Sequence, residues 1–133
     1  MDYDKLYEQK CKENELYFDI FLRELKEQKL SEKVIKRHMS YARFFVNDYL
    51  NFREITDMKE GTCKAYDFLM YFLPYKCLWT SKNTCQNIVA TVSKFYKIMV
   101  KYNFVDKVEV KNFIDELRMY KVECLRIINN EEI

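Results

Sequence analysis

SEKVIKRHMSYARFFVNDYLN, Ser31 to Asn51, is the stretch from which the fold can be read. Ser31 is a good N-cap, because its hydroxyl can accept a backbone N–H of the first turn. Leu30 before it can staple onto Ile35. One stripe then recurs at Val34, Ile35, His38, Met39, Ala42, Phe45, Val46, Tyr49 and Leu50, the three-and-four spacing of a single helix face. The pattern predicts a helix ending near Asn51. His38, inside that stripe, reads as a core histidine rather than a catalytic base, since no nucleophile is paired with it.

The same periodicity extends in both directions. Toward the N-terminus, a helix is predicted from about Asp4 to Gln28 on Leu16, Phe18, Ile20, Phe21, Leu22 and Leu25, with a highly charged early part expected to fray. Toward the C-terminus, Thr56 or Asp57 can cap a third helix through Ala65, Phe68, Leu69, Phe72 and Leu73, ending or kinking at Pro74. A loop with Trp79 follows, expected to plug the end of the bundle. Thr80 or Ser81 caps a fourth helix, whose stripe is Cys85, Ile88, Val89, Val92, Phe95, Tyr96, Met99 and Val100, with Asn103 as its stop. A fifth helix spans about Lys107 to Asn129 on Val110, Phe113, Ile114, Leu117, Cys124, Leu125 and Ile128. Five helices with short connections predict an all-α fold, a single five-helix bundle over residues 1–133.

Composition excludes several classes. One glycine, Gly61, and one proline leave no glycine-rich phosphate loop and few strand-bounding turns. No apolar run approaches the roughly 20 residues needed to cross a bilayer, so no membrane partner is expected. The start, MDYDKLYEQK, lacks the order of a secretory signal, which points to a cytoplasmic protein. Five cysteines, an odd number with no C-x-x-C, and a single histidine read as free thiols in a reducing compartment. No metal and no cofactor are expected, and no carboxylate pair suggests catalysis.

The charge is unevenly placed. Between Asp67 and Asp106 there is no acidic residue, and residues 76–105 carry five basic ones. Residues 31–54 are also net positive, with five basic side chains against three acidic, whereas both ends are mildly acidic. At about 100° per residue, the face of the fourth helix opposite its apolar stripe holds Asn83, Gln86, Asn87, Ala90, Lys94, Lys97 and Lys101. The matching face of the second helix holds Lys33, Lys36, Arg37, Ser40, Phe44 and Asn47, with Arg43 at its edge. Lysine and arginine neutralise phosphates, while asparagine and glutamine match adenine edges in the major groove. The backbone N–H groups near Ser81 and Lys82 add a place for a phosphate. An ordinary solvated surface is the competing reading of both faces.

The ordered series Leu30–Leu50, EITDMKEGTCKAYDFLMYFL (Glu54–Leu73) and SKNTCQNIVATVSKFYKIMVKYNFV (Ser81–Val105) resembles the N-terminal SAM-like, core-binding domain of tyrosine recombinases and phage integrases. The elements that carry the likeness are Leu30 to Ile35, Phe44-Phe45, Ile55-Thr56, Ser81 to Asn87 and Ser93 to Tyr96. They cover about residues 14–105, leaving residues 106–133 as an extra C-terminal helix. The resemblance implies two crossed helical hairpins whose second and fourth helices meet duplex DNA. The implied contacts are Lys33, Lys36, Arg37, Ser40 and Arg43, with Ser81, Lys82, Asn83, Thr84, Gln86, Asn87 and Lys94. It further implies that the C-terminal helix meets a second copy or a partner recombinase chain.

The departures carry weight too. The family's chemistry resides in a separate domain with an H-x-x-R, and here His38 is followed by Met39, Ser40 and Tyr41. The expectation is therefore a non-catalytic binder of double-stranded DNA. The alternative is a helical protein-interaction adaptor that kept the fold and lost the DNA.

Overall fold

The computed structural model describes residues 2–129. It is an all-α bundle, helical over 80% of the chain and without a strand among the described residues. Helix α1 (Tyr3–Glu27) is capped by Asp2, whose carboxylate accepts the Lys5 N–H at 3.0 Å, so the charged first turns are helical. Helix α2 (Glu32–Arg43) starts at Ser31, whose hydroxyl accepts the Val34 N–H at 3.2 Å. It continues as a wider coil, Phe44–Tyr49, in which the Leu50 N–H reaches back to the Phe45 carbonyl. A 3-10 turn, Met58–Cys63, leads into α3 (Ala65–Asp67), which widens over Phe68–Lys76. Helices α4 (Lys82–Lys101) and α5 (Lys107–Ile128) complete the chain.

The helix ends follow side-chain chemistry. Asp106 caps α5 by accepting the Glu109 N–H, and Ser81 caps α4 by accepting the Thr84 N–H. At the end of α4, Asn103 takes a left-handed backbone (φ 64°), letting the Asn103 and Phe104 N–H groups satisfy the Val100 and Met99 carbonyls. Asparagine tolerates that conformation better than most residues, and it stands where glycine is the usual choice.

The middle of the chain departs from expectation in two places. Of the two alternatives at Pro74, an end or a kink, the end is excluded: the segment runs on to Lys76 with the proline inside it. A proline lacks the N–H that an α-turn requires, and widened coils occur where the regular ladder is interrupted. Neither Thr56 nor Asp57 caps an α-helix through its side chain. The Thr56 N–H donates to Asn51 Oδ1 at 2.8 Å, and the Asp57 carboxylate is engaged by Lys10.

The chain divides after Gly61 into two compact units, and the division falls inside the 14–105 span that the resemblance treats as one core. In the first unit α1 lies antiparallel to α2 and its wide continuation. Successive ties from Phe21–His38 through Glu15–Arg43, Asn14–Asn47 and Tyr7–Asp48 to Tyr3–Asn51 run in opposite directions along the two helices. Phe18, Phe21, Leu25, Phe45 and Val46 are fully buried, each contributing roughly 1.5–3 kcal/mol by removal from water. Leu16, expected in that stripe, is instead 55% exposed, while the polar Asn14 is buried and donates to Asn47 Oδ1 at 2.8 Å. Asn51 is 0% exposed and joins three backbone groups: its amide donates to the Val46 and Asn47 carbonyls and accepts from Thr56. The helix stops near Asn51 because that side chain closes its last turn.

In the second unit α5 is the element on which α4 and the α3 segment pack. Tyr96 meets Phe113 edge-on at 5.2 Å, Tyr66 meets Tyr120 at 5.1 Å, and Cys85 Sγ lies 3.6 Å from Cys124 Sγ. The bond to Cys85, then burial, pushes the Cys124 thiol up, which keeps it a neutral packing group. The sequence set α5 apart as an addition. It is the centre of this unit because Val110, Phe113, Ile114, Leu117 and Cys124 are all buried in it.

Candidate nucleic-acid interface

The expected contact residues fall into two sets, one per unit. On α2, Lys33, Lys36, Arg37 and Ser40 are exposed on one side, opposite the stripe that runs down to the buried Ala42. No carboxylate among the described residues pairs with these three cations. Arg43 differs from its expected role. Its guanidinium lies 2.7 Å from a Glu15 carboxylate oxygen and 4.7 Å from the centre of the Phe18 ring, so its charge is engaged within the unit. Phe44 is half-buried, and Asn47 is held by Asn14.

On α4, Ser81, Lys82, Asn83 and Gln86 are exposed over the first turns, and Ala90, Lys97 and Lys101 continue the outward side. Thr84, Asn87 and Lys94 are half-buried. The opposite side is fully committed to packing, with Cys85, Ile88, Val92, Phe95, Tyr96 and Met99 buried. Two of the nominated hydroxyls already have work. Ser81 Oγ accepts the Thr84 N–H at 3.1 Å and donates to Thr84 Oγ1 at 2.9 Å. They shape the helix start, leaving Lys82, Asn83 and Gln86 as the exposed polar groups beside it. Ala90 keeps the centre of the outward side shallow, where a second surface can approach closely.

The segment before α4 departs from expectation. Trp79 does not plug a core: it is 58% exposed, and Leu78 beside it is 87% exposed. Cys77 is the residue that turns inward, and its burial pushes its thiol up to about 11. A two-residue shift therefore separates the expected plug from the actual one. The turn is closed by the Thr80 N–H donating to the Cys77 carbonyl at 3.0 Å, which pins residue 77 in and pushes residues 78 and 79 out. No local signal in an apolar run of Cys, Leu and Trp tells which member the turn will bury.

Among the described residues no helix is long and apolar enough to cross a membrane, and no group of three His, Cys, Asp or Glu residues is placed to hold a metal ion. The chain matches no protein-family model, no curated protein and no solved structure.

Proposed function

We propose that this chain is a non-catalytic nucleic-acid-binding module that grips double-stranded DNA through the outward sides of α2 and α4, in the manner of the recombinase core-binding domains its sequence resembles. The observation that carries the reading is the α4 surface. It exposes Lys82, Asn83, Gln86, Lys97 and Lys101 within a stretch, residues 68–105, that contains no acidic residue. Lysines supply phosphate contacts and orientation, the amides supply base-edge hydrogen bonds, and Lys33, Lys36 and Arg37 supply a second basic side in the other unit. No strand cleavage is proposed.

The test is a titration of labelled duplex at several salt concentrations with the native chain, with Lys36→Glu, with Lys82→Glu and with both. Each lost phosphate contact flattens the slope of log K against log salt by roughly 1 and weakens binding about tenfold at low salt. Absence of binding at low salt, or indifference to both reversals, would turn the reading to the adaptor. The same data with Lys36→Glu inert and Lys82→Glu deleterious would assign the grip to α4 alone.

A further inference from the structure

Four cations edge one trough of the second unit. Lys97 on α4 and Lys107, Lys111 and Arg118 on α5 line a groove of about 390 Å³. Its floor is apolar, lined by Val100 from α4 and by the largely buried Val110 and Ile114 from α5. One carboxylate, Asp115, lines it, and that group lies 3.3 Å from Lys111 Nζ. The rim thus keeps a net positive charge over a hydrophobic base. A second hollow shares Val100 and Lys107 with the groove and is lined along the α4–α5 turn by Asn103, Phe104 and the capping residue Asp106.

We propose that this groove docks an acidic amphipathic helix from a partner protein. Three features set the chemistry. Lys107, Lys111 and Arg118 are spaced along α5 over about 16 Å, three helical turns, which suits an extended partner better than a compact anion. The floor rewards apolar side chains at three-and-four spacing, the mode by which helices anchor in grooves. The rim rewards carboxylates on the flanks of that stripe and disfavours basic partners. A DNA backbone would meet the cations but has nothing to place on Val100, Val110 and Ile114. Of these residues only Lys97 belongs to the α4 surface assigned to DNA, so this site stands without that reading.

The probe is a synthetic, fluorescently labelled peptide of about three turns (roughly 11 residues) with leucines at three-and-four spacing and glutamates on both flanks. Its scrambled isomer, with the same composition and no stripe, is the control. Anisotropy titrations against the whole chain are paired with amide chemical-shift mapping. The expected result is saturable binding, with shifts centred on Val100, Val110 and Ile114. The scrambled isomer binds at least about tenfold more weakly, as does the native peptide to the Lys111→Glu, Arg118→Glu double variant. Lys36→Glu leaves peptide binding unchanged. Circular dichroism checks that the double variant is folded. Equal binding of the scrambled isomer, insensitivity to the double reversal in a folded variant, or shifts centred elsewhere would overturn the proposal. It also falls if random-sequence duplex DNA moves the same resonances and displaces the peptide, because the groove would then be part of the nucleic-acid surface.

Discussion

The two units hold their helices by different means. In the first, polar side chains with defined partners join α1 to α2 and its continuation: Asn14 to Asn47, Glu15 to Arg43, Lys10 to Asp57, and Asn51 to three backbone groups. In the second, α5 is gripped by rings and sulfur, with Phe113 under Tyr96, Tyr120 on Tyr66 and Cys124 on Cys85. The consequence is electrostatic. An acidic helix beside α2 neutralises a cation that the sequence nominated for a ligand, whereas apolar packing of α4 on α5 leaves Lys97, Lys107 and Lys111 exposed. Where a unit is stitched by charge, less charge remains for a partner.

The largest test of this contrast is Phe113→Ala. Removing a fully buried ring from the centre of the second unit should cost about 3–5 kcal/mol, read as a lowered urea midpoint. An effect under 1 kcal/mol would show that α5 is not the hub. Next is Asn51→Ala in the first unit. It strands two carbonyls and the Thr56 N–H in a buried site, and the expected loss is about 1–3 kcal/mol. If Asn51→Ala is silent, polar stitching does not hold that unit.

Smaller effects sharpen the picture. Thr80 is buried, and its hydroxyl meets no hydrogen-bond partner among the described residues. Thr80→Val removes a desolvated polar group at constant shape, and thermal unfolding should show a gain of up to about 1 kcal/mol. A loss would reveal a partner for that hydroxyl.

The smallest effect is electrostatic. The hydrogen bond from Lys10, then its charge, holds the Asp57 carboxyl below its ordinary value of 3.8. A depressed carboxyl stabilises the folded chain above that pH, and the contribution disappears as pH falls through the folded value. Lys10 is raised by the same bond, so its share persists through neutral pH and is lost only above the ordinary lysine range. Asp57 is about half exposed (49%), and solvent screening limits the effect to less than about 1 kcal/mol. Urea midpoints measured between neutral pH and pH 3 should therefore fall slightly less for Asp57→Asn than for the native chain. An identical fall would remove this pair from the stitching.

What could be read in advance was local. Ser31, Ser81 and Asn103 mark helix ends by hydrogen bonds made within one or two turns, and the three-and-four stripes of α2, α4 and α5 state which side is buried. The errors lie where a residue's fate depends on a distant neighbour or on one turn. Arg43 was lost to Glu15, Leu16 was displaced from the stripe by an Asn14–Asn47 pair, and Trp79 was turned outward by the bond that closes residues 77–80. The groove cations Lys107, Lys111 and Arg118 lie in a mildly acidic segment where no sequence signal singles them out. Only the packing of α4 on α5 sets Lys97 beside them over an apolar floor.

By itself the sequence determined an all-helical chain, the caps at Ser31 and Ser81, the stop at Asn103, the faces those helices bury and the acid-free stretch around α4, because each depends on periodicity or on groups a few residues apart. The tertiary structure alone decided that α5 is a centre rather than an appendage, which cations are neutralised from within, and which apolar side chains meet water. Those outcomes depend on pairings between residues far apart in the chain, and no spacing along one segment encodes the partner it will meet.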